Sequence, residues 1–209
     1  MKTCIILCAG EIDYPALPRE FIPRDAFVMA ADGGLRHCLP LRLTPDMIIG
    51  DFDSLASEEL PKEVDIKKLP AEKDETDTYA CAQQAVKLEF ERVIILGGTG
   101  GRMDHTLANM QTLLYIYRHN VDAVMIDEKN IIRLAESGSH KIPRIAGRKL
   151  SVLAFSGELT GVTLTGVKYP LDNAVMCSDF PLGVSNEFAD EFAVLTIKSG
   201  TALIILSMD

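Results

Sequence analysis

Five short, continuous apolar runs in the first half of the chain limit most strongly what it can fold into. Residues 3–9, 26–31 and 47–50 are such runs, each passing into Gly or Asp, and residues 92–96 and 123–126 are two more. Short runs without alternation suit strands buried on both faces of a parallel sheet. Between them, residues 78–90 and 103–118 are long enough for helices. The second places Leu107, Met110, Leu114 and Tyr117 at helical spacing. This alternation predicts an α/β layer fold with a mostly parallel sheet. After about Asp127 helical periodicity fades. Residues 149–155, 161–164, 192–197 and 202–206 read as strands separated by Gly, Pro, Asn and Asp, which predicts a small all-β sandwich. The expected domains are therefore residues 1–129 (α/β) and 130–209 (β).

Charge narrows the function. The chain carries a formal net charge of −9 and no long Lys/Arg run, so it is not expected to bind nucleic acid, which requires basic stripes against phosphates. An acidic protein that handles phosphate esters needs metal ions or a few well-placed bases. No segment approaches the ~20 apolar residues of a membrane helix, and the apolar start runs directly into Gly10-Glu11 rather than into a cleavage site. Cys4, Cys8, Cys38, Cys81 and Cys177 lack any Cys-x-x-Cys spacing. They read as reduced core residues, so a cytoplasmic location is expected.

The chemistry-bearing residues fall where the first-half strands end, the edge at which a parallel sheet binds ligands. Asp32-Gly33-Gly34 ends one run; taken alone, it reads first as a plain strand-to-helix turn, and only then as glycines that let backbone N–H groups approach a ligand. Asp51 and Asp53 flank Phe52 two residues apart, and in extended backbone they point to one side. Their mutual repulsion falls when a cation lies between them, and Mg²⁺ takes one or two carboxylates and completes its shell with water and phosphate oxygens. Lys73, Asp74 and Asp77 open the helix expected from about residue 78, where acids also serve as caps. Gly97-Gly98-Thr99-Gly100-Gly101-Arg102-Met103-Asp104-His105 runs from a strand through a glycine turn into a helix. That arrangement offers backbone N–H groups and an arginine fork to phosphates. It lacks the Gly-Lys-Ser/Thr ending of a P-loop, and Met103 breaks the dinucleotide-binding glycine pattern. Asp104 reads as a helix N-cap as well as a candidate for chemistry.

In this order, Asp32-Gly-Gly, Gly50-Asp-Phe-Asp-Ser54, Lys73-Asp-Glu-Thr-Asp77, Gly100-Gly-Arg-Met-Asp-His105 and Leu107-Ala-Asn109 resemble the motif series of thiamine pyrophosphokinases. Gly166-Val-Lys-Tyr-Pro-Leu171 and Ser185-Asn186-Glu187 resemble that family's β-domain signatures. The resemblance implies a Rossmann-like α/β domain without a P-loop, a C-terminal β-sandwich and a homodimer with shared active sites. It implies Mg²⁺ as cofactor, ATP as co-substrate and thiamine as acceptor, giving thiamine pyrophosphate and AMP. The acidic set itself agrees with this: Mg²⁺ is expected on Asp51, Asp53 and Asp74, with Asp77 or Asp32 as further support. Lys73, Arg102, Gly33, Gly100 and Gly101 are the candidates for the nucleotide phosphates, with Asp104 a candidate on the acceptor side, and Ser185 and Asn186 carry over from the resemblance as candidates beside thiamine. The chain has no Trp; where relatives resembling the animal enzymes stack one on thiamine, it has Leu203-Ile204-Ile205. Three alternatives remain open at this point: a pyrophosphokinase acting on a hydroxymethyl-pterin, a metal-dependent phosphohydrolase, and a non-catalytic nucleotide or thiamine sensor.

Overall fold

A computed structural model describes residues 1–52, 64–70, 72 and 74–209. The chain divides into two compact units, Met1–Glu128 and Lys129–Asp209.

The first unit is built on β1 (Thr3–Leu7), β2 (Phe27–Ala31), β3 (Met47–Gly50), β4 (Asp65–Lys68), β5 (Arg92–Leu96) and β6 (Asp122–Ile126). They pair in parallel in the order β4-β3-β2-β1-β5-β6. Ile5, Ile6, Leu7, Met29, Ile48, Ile94 and Ile95 have no exposed surface, as a sheet covered on both faces requires. Among the described residues three helices connect the strands: α1 (Cys38–Leu41), α2 (Asp77–Lys87) and α3 (Met103–Arg118), with 3-10 turns at Arg19–Phe21 and Asp32–His37. α2 starts at Thr76, whose hydroxyl accepts the Tyr79 N–H at 3.2 Å. Its buried stripe is Ala80, Cys81, Ala82 and Ala85; side chains this small let the helix lie close on β1 and β2.

The buried stripe of α3 differs from the sequence expectation. Asn109, Thr112, Leu113 and Ile116 face inward, whereas Leu107 is 53% exposed. Apolar spacing alone selects a flank of this helix, because the inward face begins with a polar residue that has its own partner.

The second unit is antiparallel throughout: β7 (Asn130–Ala135), β8 (Gly138–Pro143), β9 (Lys149–Thr165), β10 (Leu171–Met176), β11 (Phe192–Ile197) and β12 (Ser199–Ser207). The runs expected as separate strands at 149–155 and 161–164 are one strand. β9 pairs with β12 from Lys149 to Thr160, and with β10 and β11 from Leu159 onward. Its pairing with β12 shifts register near Ser156–Thr160, and Gly157 and Gly161 there have φ of 68° and 61°. A bulged strand bends and turns its far end toward new partners. Alternate residues of β9 and its neighbours, including Leu150, Val152, Leu159, Val162 and Leu195, are fully buried.

Among the described residues no helix is long and apolar enough to cross a membrane. Cys4, Cys8, Cys38 and Cys81 are buried free thiols and Cys177 is partly exposed. Burial pushes the Cys8 thiol up to about 12 and that of Cys38 to about 11, so neither supplies a nucleophilic thiolate at neutral pH.

Candidate active site

β1 lies between β2 and β5, so the chain reverses its direction of travel across the sheet at the β1/β5 pair. The loops leaving these two strands must part there, and a crevice opens outside their carboxyl ends. Its walls are tied by main-chain bonds: Cys8 N–H to Leu96 O (2.8 Å), Gly10 N–H to Gly97 O (2.9 Å) and Glu11 N–H to Gly100 O (3.2 Å). The approach is possible only because position 10 lacks a side chain. A Cβ on Gly10 would stand 1.9 Å from Thr99 O and 2.4 Å from Gly97 O. Gly10→Ala is therefore expected to destabilise the unit by about 1–3 kcal/mol. Gly101→Ala, whose Cβ would have its nearest neighbour at 3.8 Å, should be tolerated; equal denaturation midpoints for the two variants would refute the close packing.

Side chains fix the glycine loop further. Asn109 Nδ2 donates to Gly98 O at 2.8 Å, and the Thr99 hydroxyl donates to Asp127 Oδ2 at 2.8 Å. Asn109 and Asp127 are both buried. Sequence reading gave Asn109 no role and missed Thr99 and Asp127; the signal available for Asp127 was a carboxylate ending an apolar run. On the other wall, Tyr14 Oη lies 2.7 Å from Nδ1 of buried His37 and anchors the loop after β1. Desolvation lowers the His37 pKa.

The acidic residues occupy neighbouring strand ends. Asp32 begins the 3-10 turn after β2 with φ of 43°. A Cβ on Gly50 would lie 2.9 Å from the Asp32 Cβ, so glycine at the end of β3 lets Asp32 pack against the residue that precedes Asp51; Asp32 and Asp77 line the cleft described below, and Asp51 and Asp74 do not. Asp77 is the first residue of α2 and half-buried, while Asp74 is exposed in the turn before it. Asp53 and Lys73 lie outside the described residues. A cleft of about 500 Å³ is lined by Asp32, Asp77, Gly98, Gly101, Arg102 and His105 among others. Gly33 and Gly100 adjoin lining residues in the chain.

Arg102, not Asp104, is the N-cap residue of α3, and its side chain makes no capping bond. Asp104 sits in the first helical turn. Arg102 donates to it twice, Nη2 to Oδ2 at 2.5 Å and Nε to Oδ1 at 3.1 Å, and the His105 N–H donates to Oδ1 at 2.9 Å. Both side chains are well exposed. The Arg102 fork holds the Asp104 carboxyl down at about 2, so the pair is fully ionised at neutral pH. It presents a planar donor fork at the mouth of the cleft.

In the second unit, Ser185 is exposed with φ of 58°, and its N–H donates to Ser151 Oγ at 3.0 Å. Asn186 is buried. Its Nδ2 donates to Tyr169 O at 2.8 Å, and its Oδ1 accepts the N–H groups of Tyr169 (3.1 Å) and Glu187 (3.0 Å). The carboxamide thus staples the 166–171 segment to the 185–187 segment.

Comparison with known proteins assigns both halves. A family model for the catalytic domain of thiamin pyrophosphokinase matches residues 19–125, and one for its vitamin B1 binding domain matches residues 139–204. The thiamine pyrophosphokinase of Bacillus subtilis (strain 168) is 29% identical over 217 residues, covering 100% of both chains. The crystal structure of a Bacillus subtilis thiamine pyrophosphokinase superposes with a TM-score of 0.89 at 28% identity, covering 100% of each chain. That of the Geobacillus thermodenitrificans protein gives 0.86 at 28% identity, covering 100% of this chain and 98% of the other. Neither the pterin enzyme nor the phosphohydrolase gains support from these matches. The two family models cover the α/β unit and the β unit in turn, and the chain belongs to the thiamin pyrophosphokinase family.

Proposed function

We propose that this chain transfers pyrophosphate from ATP to the hydroxyl of thiamine, producing thiamine pyrophosphate and AMP. The observation that carries the reading is a cleft at the β1/β5 reversal with acidic residues on one wall and a glycine loop ending in Arg102 on the other. The thiamine hydroxyl oxygen bonds to the β-phosphorus, the bond from that phosphorus to the oxygen retained by AMP breaks, and the hydroxyl proton passes to a carboxylate of the acidic set. Transfer of this kind depends on positioning and charge stabilisation. Gly98, Gly101 and Arg102 are suited to the phosphate oxygens, with Lys73 and the adjoining Gly33 and Gly100 in support.

Mg²⁺ fits the donor set. Among the described residues no three acidic, His or Cys side chains form a closed metal cage. Mg²⁺ needs only one or two carboxylates beside substrate phosphates, and Asp51, with Asp53 and Asp74, would hold it. Bound there, the ion neutralises the triphosphate. Asp32 and Asp77 support the set, and the same negative field suits thiamine's cationic ring. Asp104 and Ser185 remain candidates for contacting thiamine, and Asn186 for holding the segment that does so.

The first unit is read as Rossmann-like without a P-loop, the second as a β-sandwich, and the protein as a cytoplasmic homodimer with shared sites. AMP, and not ADP, should appear when thiamine and MgATP are mixed with the protein. ADP would indicate phosphoryl transfer, and thiamine-independent ATP loss a hydrolase. If sites are shared, inactive Asp51→Asn and Ser185→Trp chains should rescue each other on subunit exchange, to roughly a quarter of wild-type activity for independent sites. Demonstrated exchange without rescue would place both residues in one chain's site.

A further inference from the structure

A second cleft, of about 260 Å³, lies at the opposite edge of the parallel sheet. It is lined by Arg19, Ile22, Pro23, Arg24, Leu41, Arg42 and Leu43. Arg19 opens the 3-10 turn that precedes β2, Arg24 stands three residues before that strand, and Arg42 caps α1 on the way to β3. These are the amino-terminal ends of β2 and β3, whereas Asp32 and Asp51 occupy their carboxyl ends. Strands of this length separate the two places by about 15 Å, so the arginines belong to a different site.

Three features set the cleft apart. First, three arginines line one cleft in a chain of net charge −9. Among the described residues none of the three has a side-chain hydrogen bond or an acidic partner. Glu20 and Asp25 adjoin them in sequence but do not line the cleft. Like charges sharing one cleft repel, and an anion placed among them reverses the sign of that interaction. Second, Arg42 holds φ of 57° at the end of α1, where glycine is the residue of low conformational cost. Retaining an arginine there costs backbone energy, and the residue lines the cleft. Third, the floor is apolar: Leu41 is buried, and Ile22, Pro23 and Leu43 are half-buried. A bare inorganic ion would leave that floor uncovered.

We propose that this cleft is a second anion site, taking a small phosphate- or carboxylate-bearing molecule with a compact apolar body. The guanidinium forks bind the charged oxygens bidentately, and the Leu41–Leu43 floor takes the apolar part.

The test uses the full chain in magnesium-free buffer with a chelator, which suppresses metal-assisted binding of phosphates elsewhere. Phenyl phosphate and inorganic phosphate are titrated separately while backbone amides are followed by NMR. Saturable shifts are expected at residues 19–24 and 41–43, at lower concentration for phenyl phosphate. Arg24→Gln and Arg42→Gln should each weaken phenyl phosphate about tenfold or more, as expected for loss of a charged hydrogen bond. Both positions are exposed, and unchanged spectra elsewhere will show that the variants are folded. Arg102→Gln should leave these shifts in place. The proposal is overturned if no saturable shift occurs, if shifts are confined to residues 97–105, or if both Gln variants bind as wild type does. Equal affinity for the two probes would overturn the role of the apolar floor.

Discussion

Asp51→Asn is expected to lower kcat by about 10²–10³-fold while the protein stays folded. Asp51 follows a strand whose four residues are all buried, so its position is set by the sheet and not by a mobile loop. Gly50 admits Asp32 alongside, which gathers negative charge at one strand edge. Asparagine keeps the shape and removes the charge, so a loss of turnover reports electrostatics and not packing. If the carboxylate holds Mg²⁺, the concentration of magnesium giving half-maximal rate should also rise in the variant. Saturating magnesium should then restore part, but not all, of the rate. Asp53→Asn is expected to behave alike. Circular dichroism and the melting temperature should match wild type, since Asp51 is only half-buried and contributes little to the core. Near-normal turnover at modest magnesium would defeat the metal assignment.

The legible parts of this fold are those where burial is continuous. β3, β5 and β11 and the whole span of α3 coincide with the ranges read from sequence, because residues covered on both faces, or helices bounded by turns, leave a strong compositional mark. β4 left none. Its four residues, Asp65-Ile-Lys-Lys68, are all exposed at the sheet edge, where main-chain pairing to β3 and not side-chain burial makes the strand. β7 was obscured by Arg133, and β8 alternates too weakly to register, with only Ile142 buried.

The candidate site divides in the same way. Carboxylates and glycines at strand ends could be found from position alone. Their supports could not: the Asn109–Gly98 and Thr99–Asp127 bonds join residues 11 and 28 positions apart, and only the folded chain brings them together. Asn186 shows the converse. A motif marked it as a site residue, yet its carboxamide is used inside the unit, on Tyr169 and Glu187.

Arg102→Lys should lower kcat by about 10²-fold or more, although the charge is preserved. Two nitrogens of the guanidinium already engage Asp104 in a fork, which fixes its plane at the cleft mouth. The remaining edge of the guanidinium, Nη1 with the second N–H of Nη2, can pair with two phosphate oxygens, and an ammonium, being a point charge, cannot hold Asp104 and both oxygens in that planar geometry. If the second contact tightens as charge develops in transfer, its loss falls on kcat; a contact equal in ground and transition states would fall on KM instead. The side chain is exposed, so the melting temperature should be unchanged. A second readout does not depend on turnover. Asp104 is depressed to about 2 chiefly by its hydrogen bonds to Arg102. Removing that partner in Arg102→Ala should return its midpoint toward the ordinary carboxylate range near 4, visible by NMR titration of the carboxyl. Any stability the pair provides is complete above pH of about 4 and is lost as the pH falls through the folded value, so the difference between variant and wild type should be largest at neutral pH and should close between pH of about 4 and about 2. An Asp104 midpoint that stays low without Arg102 would place its cause in the helix start. Wild-type turnover in Arg102→Lys would reduce Arg102 to a source of positive charge.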